Sequence, residues 1–175
     1  PLKRVVGIDI GSGTLKMAEI IWQNARPVLQ NAAVVDLPAG AVEDGRIIDT
    51  ENVIFAIRKL TGTHRLSTKN AVAAISGRSV FAREVLFPVM DESELQQAMK
   101  WDLEKHIPYA PDSYFFDFTV VGSGKSEMEM RVLLVAAPKE LIKNVVLVLK
   151  GAGLRPIAVD IEPLAIYNTL PGGQN

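Results

Sequence analysis

Asp9, Ser12, Thr14 and Lys16 stand close together in the string Val5-Val6-Gly7-Ile8-Asp9-Ile10-Gly11-Ser12-Gly13-Thr14-Leu15-Lys16. An apolar run ends in a carboxylate. A Gly-Ser-Gly turn follows, and an ammonium comes up on a second apolar run. This arrangement aims a carboxylate, two hydroxyls, bare backbone amides and a cation at one spot, which is phosphate chemistry. Gly11 and Gly13 are free to take positive φ, and they leave no side chain in a ligand's way. Successive amides in such a turn form a concavity for an anion. Asp9, at the carboxyl end of a buried strand, is placed to hold Mg²⁺ through its waters. Thr14 and Lys16 share strand parity, so the spacing predicts that both face the ligand side.

Two better-known phosphate motifs do not fit. The P-loop string G-x-x-x-x-G-K-[ST] is absent. The dinucleotide fingerprint would need a small residue where Lys16 stands, and a helix rather than a strand after it. By spacing alone, a plain hairpin with a glycine turn accounts for the string equally well.

The rest of the chain must position these groups. Three strands are expected first, at about 3–10, 14–22 and 28–37, as an antiparallel meander. Pro38, Gly40 and Asp44-Gly45 mark a loop. Asp49 or Thr50 caps a helix with the stripe Val53, Ile57 and Leu60, and Gly62 ends it. Residues 70–76 form a short buried strand. After Gly77-Arg78 the pattern becomes strand (80–87), helix (to about His106), strand, strand, helix (139–150) and strand. Asp91 with Glu94 forms an acidic capping box, and Pro108 stops the first of these helices. Pro138 is expected at the N1 position of the second. Pro163 opens a last helix, Leu164–Leu170. Trp101, Phe116 and Phe118 are expected in the core. His64 and His106 are read as structural, since neither has a second ligand at metal spacing.

Bulk properties exclude several classes. The chain has 175 residues, enough for one domain or two small ones; it is 48% hydrophobic and carries a net charge of −1 with no basic stripe. Nucleic acid is therefore not expected as a partner. No apolar run reaches about 18 residues, so no transmembrane segment is expected. The absence of cysteine excludes disulfides and thiolate metal sites. The chain starts at Pro1 and stops after Pro171-Gly172-Gly173-Gln174-Asn175, and it is read as part of something longer.

Asp9-Ile10-Gly11-Ser12-Gly13-Thr14-Leu15-Lys16 resembles the phosphate-1 loop of the superfamily of actin, heat-shock chaperones and sugar kinases. Its actin version reads D-x-G-S-G-x-x-K. Ile161-Glu162-Pro163-Leu164-Ala165-Ile166-Tyr167 resembles the connect-1 segment, where an E-P pair opens a helix lining the nucleotide cleft. The middle block is similar to subdomain IC of the cell-division protein FtsA. The finer resemblance, over nearly the whole chain, is to the PilM family of type IV pilus assembly proteins. It is carried by Arg83 to Pro88, Glu94-Leu95, Trp101 with Glu104, Ile107-Pro108-Tyr109, Val132 to Ala137, Gly151-Ala152-Gly153-Leu154 and Val159-Asp160-Ile161-Glu162-Pro163.

The resemblance implies an α/β fold with an α+β insert. In it, an actin-like, ribonuclease H-like half domain (subdomain IA, 1–77 with 161–175) carries an FtsA-type subdomain IC at 78–160. It implies ATP and Mg in the intact protein, with Asp9, Gly11, Ser12, Gly13, Thr14, Lys16 and Glu162 as nucleotide contacts. Asp9 would meet the metal through water. Glu162 would lie near the metal and the attacking water, or else is simply a carboxylate favoured by a helix N-terminus. Family members are longer, so phosphate-2, the adenosine loop and subdomains IIA and IIB are expected to be missing. This chain is then expected to bind little or no ATP and to hold no catalytic residue. The implied function is a cytoplasmic scaffold, peripheral at the inner membrane, that binds the N-terminal tail of a PilN-like membrane protein in a groove between IA and IC. Other pilus assembly proteins are further implied partners. The sequence does not assign the groove's residues. The alternative is the N-terminal half of an FtsA-like ATPase of cell division. A small-molecule kinase would need a base and a sugar pocket, and the sequence offers neither.

Overall fold

A computed structural model describes residues 4–110 and 112–170, apart from the side chains of Asp102 and Glu104. Its elements run β1 (Arg4–Ile10), β2 (Thr14–Gln23), β3 (Arg26–Asp36), β4 (Val42–Glu43), β5 (Arg46–Ile47), α1 (Thr50–Thr63), β6 (Asn70–Ile75), β7 (Phe81–Pro88), α2 (Glu92–His106), β8 (Tyr114–Ser123), β9 (Glu129–Pro138), α3 (Lys139–Gly151), β10 (Arg155–Ile161) and α4 (Glu162–Tyr167). The chain divides into two compact units. One joins the residues up to Gly77 with those from Leu141 onward, and the other is Arg78–Glu140.

The first unit is built on a five-stranded sheet in the order β10-β6-β1-β2-β3. β1, β2 and β3 form the expected antiparallel meander, while β6 and β10 run parallel to β1. Alternation decides which face is covered. Val6, Ile8, Leu15, Met17, Ala71, Ala73 and Ile75 are buried, and the residues between them are not. α1 and α3 bring the matching stripes, Val53, Ala56, Ile57 and Leu60 from one and Leu141, Val145, Val148 and Leu149 from the other. The two helices meet closely. A Cβ on Gly151 would stand 2.6 Å from Ile54 Cδ1. Arg58 donates through Nε and Nη2 to Gly151 O at 3.2 and 2.7 Å, closing the C-terminus of α3.

The second unit is a three-stranded antiparallel sheet, β7-β9-β8, with α2 on one face. Val85, Phe87, Met130, Val132, Leu134 and Ala136 form its core with Leu95, Met99, Leu103 and Ile107. The capping box of α2 is complete. Glu94 N–H donates to Asp91 Oδ1 at 2.8 Å, and Asp91 N–H donates to Glu94 Oε2 at 3.3 Å.

Several expectations change. Residues 42–47 are not plain loop but a short ribbon, β4 against β5, turning at Asp44-Gly45. Gly62 does not end α1, which runs on to Thr63. His64 closes it, its N–H donating to Leu60 O. Pro138 ends β9 rather than sitting inside α3, and α4 begins at Glu162. Trp101 is 85% exposed rather than core. Leu95, Met99 and Leu103 fix the buried side of α2, and a residue two positions after Met99 points the opposite way. Phe116, 36% exposed, is also outside the core, whereas Phe118 packs on the core as expected.

The compact second unit stops at Glu140, not at 160, because β10 pairs with β6 and α3 belongs with the first sheet. Positions 171–175 of the expected first subdomain lie outside the described residues. None of the helices among the described residues is long and apolar enough to cross a membrane.

Candidate functional site

β1 and β2 turn at Gly11-Ser12-Gly13, and their register sets Asp9 opposite Lys16. Both point away from the covered face, and Lys16 Nζ lies 2.7 Å from Asp9 Oδ2. The pair is about half exposed, at 52% and 44% of the two side chains. Thr14 shares the parity of Lys16, so the expected convergence of carboxylate, ammonium and hydroxyl on one side is present.

The turn differs from the expectation in its backbone. Neither Gly11 nor Gly13 takes a positive φ. Gly11 N–H is already committed to Thr14 O at 3.0 Å, and Gly13 O accepts from Leu37 N–H at 2.9 Å. The hairpin closes on itself, so Gly11 N–H is not an open donor. Gly13 remains uncrowded, since a Cβ there would meet nothing within 4 Å. Ser12 and Gly13 are exposed. The donor set left to a phosphate is the Lys16 ammonium, the Ser12 and Thr14 hydroxyls and the outer rim of the turn.

The neighbouring strands bring further carboxylates to the same end. Ala74 of β6 is in register with Asp9 on one side and Asp160 of β10 on the other. Asp160 therefore stands on the face of Asp9, two strands away at about 10 Å. Its Oδ1 accepts from Ile161 N–H at 2.8 Å. Glu162 follows two positions after Asp160, as the first residue of α4, and is half-buried. The sequence reading passed over Asp160 as a site residue. Its signal was its place at the end of a strand parallel to that of Asp9. Among the described residues, no three His, Cys, Asp or Glu side chains gather as a metal cage. Asp9 as a single carboxylate suits an ion that keeps most of its waters.

A second feature at this end was not foreseen. The Asp44-Gly45 turn lies against Ser76-Gly77, where the chain leaves β6. A Cβ on Gly45 would stand 2.2 Å from Ser76 O, and one on Gly77 would stand 2.3 Å from Asp44 O. Both glycines have positive φ, at 76° and 104°. Only glycine allows two backbones to meet this way.

On the covered face, among the described residues, one charge is buried. Glu19 has no exposed surface. Its Oε1 accepts from Ser67 N–H and Ser67 Oγ, both at 2.7 Å, and its Oε2 accepts from Asn31 Nδ2 at 2.6 Å. Burial alone pushes this carboxyl's pKa up, but hydrogen bonds from Ser67, Asn31 and Thr68 outweigh it and hold the pKa below the usual range. Glu19 thus ties β3 and the loop before β6 to the middle of the sheet. At the start of α1, Asn52 N–H and Nδ2 donate to the exposed Asp49 carboxylate and likewise lower its pKa.

A family model described as type IV pilus assembly protein PilM matches residues 7–171. One similar solved structure is described as a PilM-PilN type IV pilus biogenesis complex. It is 28% identical with a TM-score of 0.82, over 94% of this chain and 48% of that one. The chain thus spans about half the length of that relative. The cytoplasmic domain of EpsL, an inner membrane component of the type II secretion system of Vibrio cholerae, is similar at 12% identity. Its TM-score is 0.59, over 93% of this chain and 58% of that one. This second likeness shows the fold alone. Together they bear out the expected α/β, actin-like fold.

Proposed function

The chain belongs to the PilM family of type IV pilus assembly proteins, and on that premise we propose that it acts as a scaffold of pilus assembly. The proposed partner is the N-terminal tail of a PilN-like inner-membrane protein. The observation that carries this reading is the match to a PilM of a PilM–PilN complex over 94% of this chain. The chain is proposed to work in the cytoplasm, held at the inner membrane by that partner. The family match favours this over the cell-division alternative.

The Asp9–Lys16 hairpin is proposed as the phosphate side of a nucleotide site in the intact protein. Lys16, Ser12 and Thr14 would hold phosphate oxygens, with Asp9 holding a hydrated Mg²⁺ and Glu162 near it. The metal would supply charge neutralisation of the phosphates. Asp9 and Lys16 hold each other at 2.7 Å, so each is already oriented before a ligand arrives. In this reading no residue of the chain performs catalysis. Binding energy in such sites comes from enclosing most of the ligand, so the half-exposed hairpin alone holds ATP weakly. A pull-down with PilN-like tail peptides, run beside an ATP titration, tests the reading. Capture of the chain by the peptide supports it, and capture by ATP without peptide binding contradicts it.

A further inference from the structure

A free strand edge invites another strand, and natural sheets blunt such edges with prolines, charges or bulges. The outer strands of the two larger sheets differ in this respect. β3 carries Arg26, Pro27 and a register shift opposite Glu19 and Ile20. β10 carries Arg155, Pro156 and a shift between Pro156 and Ala158. β7 carries Arg83, Glu84 and Pro88. β8, with the sequence Tyr-Phe-Phe-Asp-Phe-Thr-Val-Val-Gly-Ser, has no proline and only one charge, Asp117. Its bulge falls late, between Val120 and Gly122. Phe115, Phe116, Val120 and Val121 leave this edge largely apolar and open.

Two hydrogen bonds show how the edge is oriented. Lys139 N–H donates to Ser113 O at 2.9 Å, which in this register makes Ser113, Phe115, Asp117 and Thr119 the residues bonded to β9, and Phe118 N–H donates to Asp117 Oδ1 at 2.9 Å. Phe116, Phe118 and Val120 therefore direct their N–H and C=O outward. An antiparallel copy centred on Phe118 sets Phe118 against Phe118, Phe116 against Val120 and Asp117 against Thr119. Aromatic and β-branched residues are favourable cross-strand partners. Asp117 and Thr119 fall in the close, non-hydrogen-bonded type of pair, where the hydroxyl can donate to the carboxylate. Centring on Asp117 would oppose two carboxylates, and centring on Thr119 would leave Asp117 against the bulged Val121.

We propose that β8 is a self-association edge, through which two copies of this chain pair antiparallel about Phe118 and join their three-stranded sheets into one. In the single chain, Asp117 caps the outward Phe118 N–H. Pairing exchanges that cap for the other copy's Phe118 carbonyl and frees Asp117 for Thr119. A lone strand pair is small beside the roughly 1,200–2,000 Å² of stable complexes, so the association is weak and depends on concentration.

Sedimentation velocity of the full chain, from low-micromolar to sub-millimolar concentration, tests this. The sedimentation coefficient should climb toward that of a dimer. Thr119→Asp, which opposes two carboxylates, should weaken association roughly tenfold, and Thr119→Arg should tighten it. Adding Asp117→Arg to Thr119→Asp should restore it. Thr119 is exposed, and a cooperative melt checks that each variant folds. A chain that stays monomeric throughout overturns the proposal, as does equal association of wild type and Thr119→Asp. If Thr119→Asp fails to fold, a Thr119→Arg variant no tighter than wild type overturns it instead.

Discussion

Lys16 Nζ stands 2.7 Å from Asp9 Oδ2, directly across the first hairpin. The pair lies at the carboxyl end of β1, where Asp160 shares its row through Ala74. Two charges that hold each other in a half-exposed position contribute little to stability, because water screens them and ordering two side chains costs entropy.

Replacing Asp9 and Lys16 together by Ala should therefore change folding stability by less than about 1 kcal/mol. A urea titration of both proteins checks this. A loss several times larger would make the pair a structural element and remove the reason to see a ligand site there.

ATP should bind this chain weakly or not at all. Calorimetry on the 175-residue chain should show no low-micromolar binding. A well-defined low-micromolar isotherm would mean that the hairpin supplies far more of the site than its open geometry suggests.

Glu19 should make the chain acid-sensitive in a defined direction. Its hydrogen bonds depress the folded pKa, so the folded state binds the proton less well than the unfolded one. The stabilisation is fully present above the unfolded value of about 4.3, and it is lost as pH falls through the depressed folded value. Glu19→Gln, which sets an amide against Ser67 N–H, should cost roughly 1–3 kcal/mol near neutral pH. Comparing the two proteins from neutral to acid pH should show this gap shrinking below the unfolded value. A gap independent of pH would exclude the clasp as its source.

Within α2, two positions should behave oppositely. Met99→Ala removes a fully buried side chain from the second unit's core and should cost about 2–5 kcal/mol. Trp101→Ala, at an 85% exposed position, should stay within about 0.5 kcal/mol. Chemical denaturation of both variants decides whether α2 is seated as described.

The sequence showed most of what local chemistry controls. The meander, the Asp91–Glu94 capping box and the Asp9–Lys16 hairpin each follow from residues a few positions apart. What it hid depends on distant partners. That α3 and β10 leave the second unit follows from the pairing of β10 with β6. The contact of Gly45 with Ser76 is invisible until β6 is placed beside the ribbon turn. Bulk alone points Trp101 inward, whereas the spacing of Leu95, Met99 and Leu103 turns it outward. Gly11 was expected to open a phosphate nest, but its N–H closes the hairpin on Thr14.

The scaffold reading is tested most directly by titrating a PilN-like N-terminal tail peptide into this chain and into its Asp9→Ala/Lys16→Ala variant, at low and high salt. A disordered tail loses entropy on binding, which keeps the affinity modest. A chain of net charge −1 gives little long-range attraction. Binding should depend on apolar tail residues, change little with salt and be the same for both proteins. No binding to the wild-type chain, or its loss in a variant that still melts cooperatively, would contradict the scaffold reading.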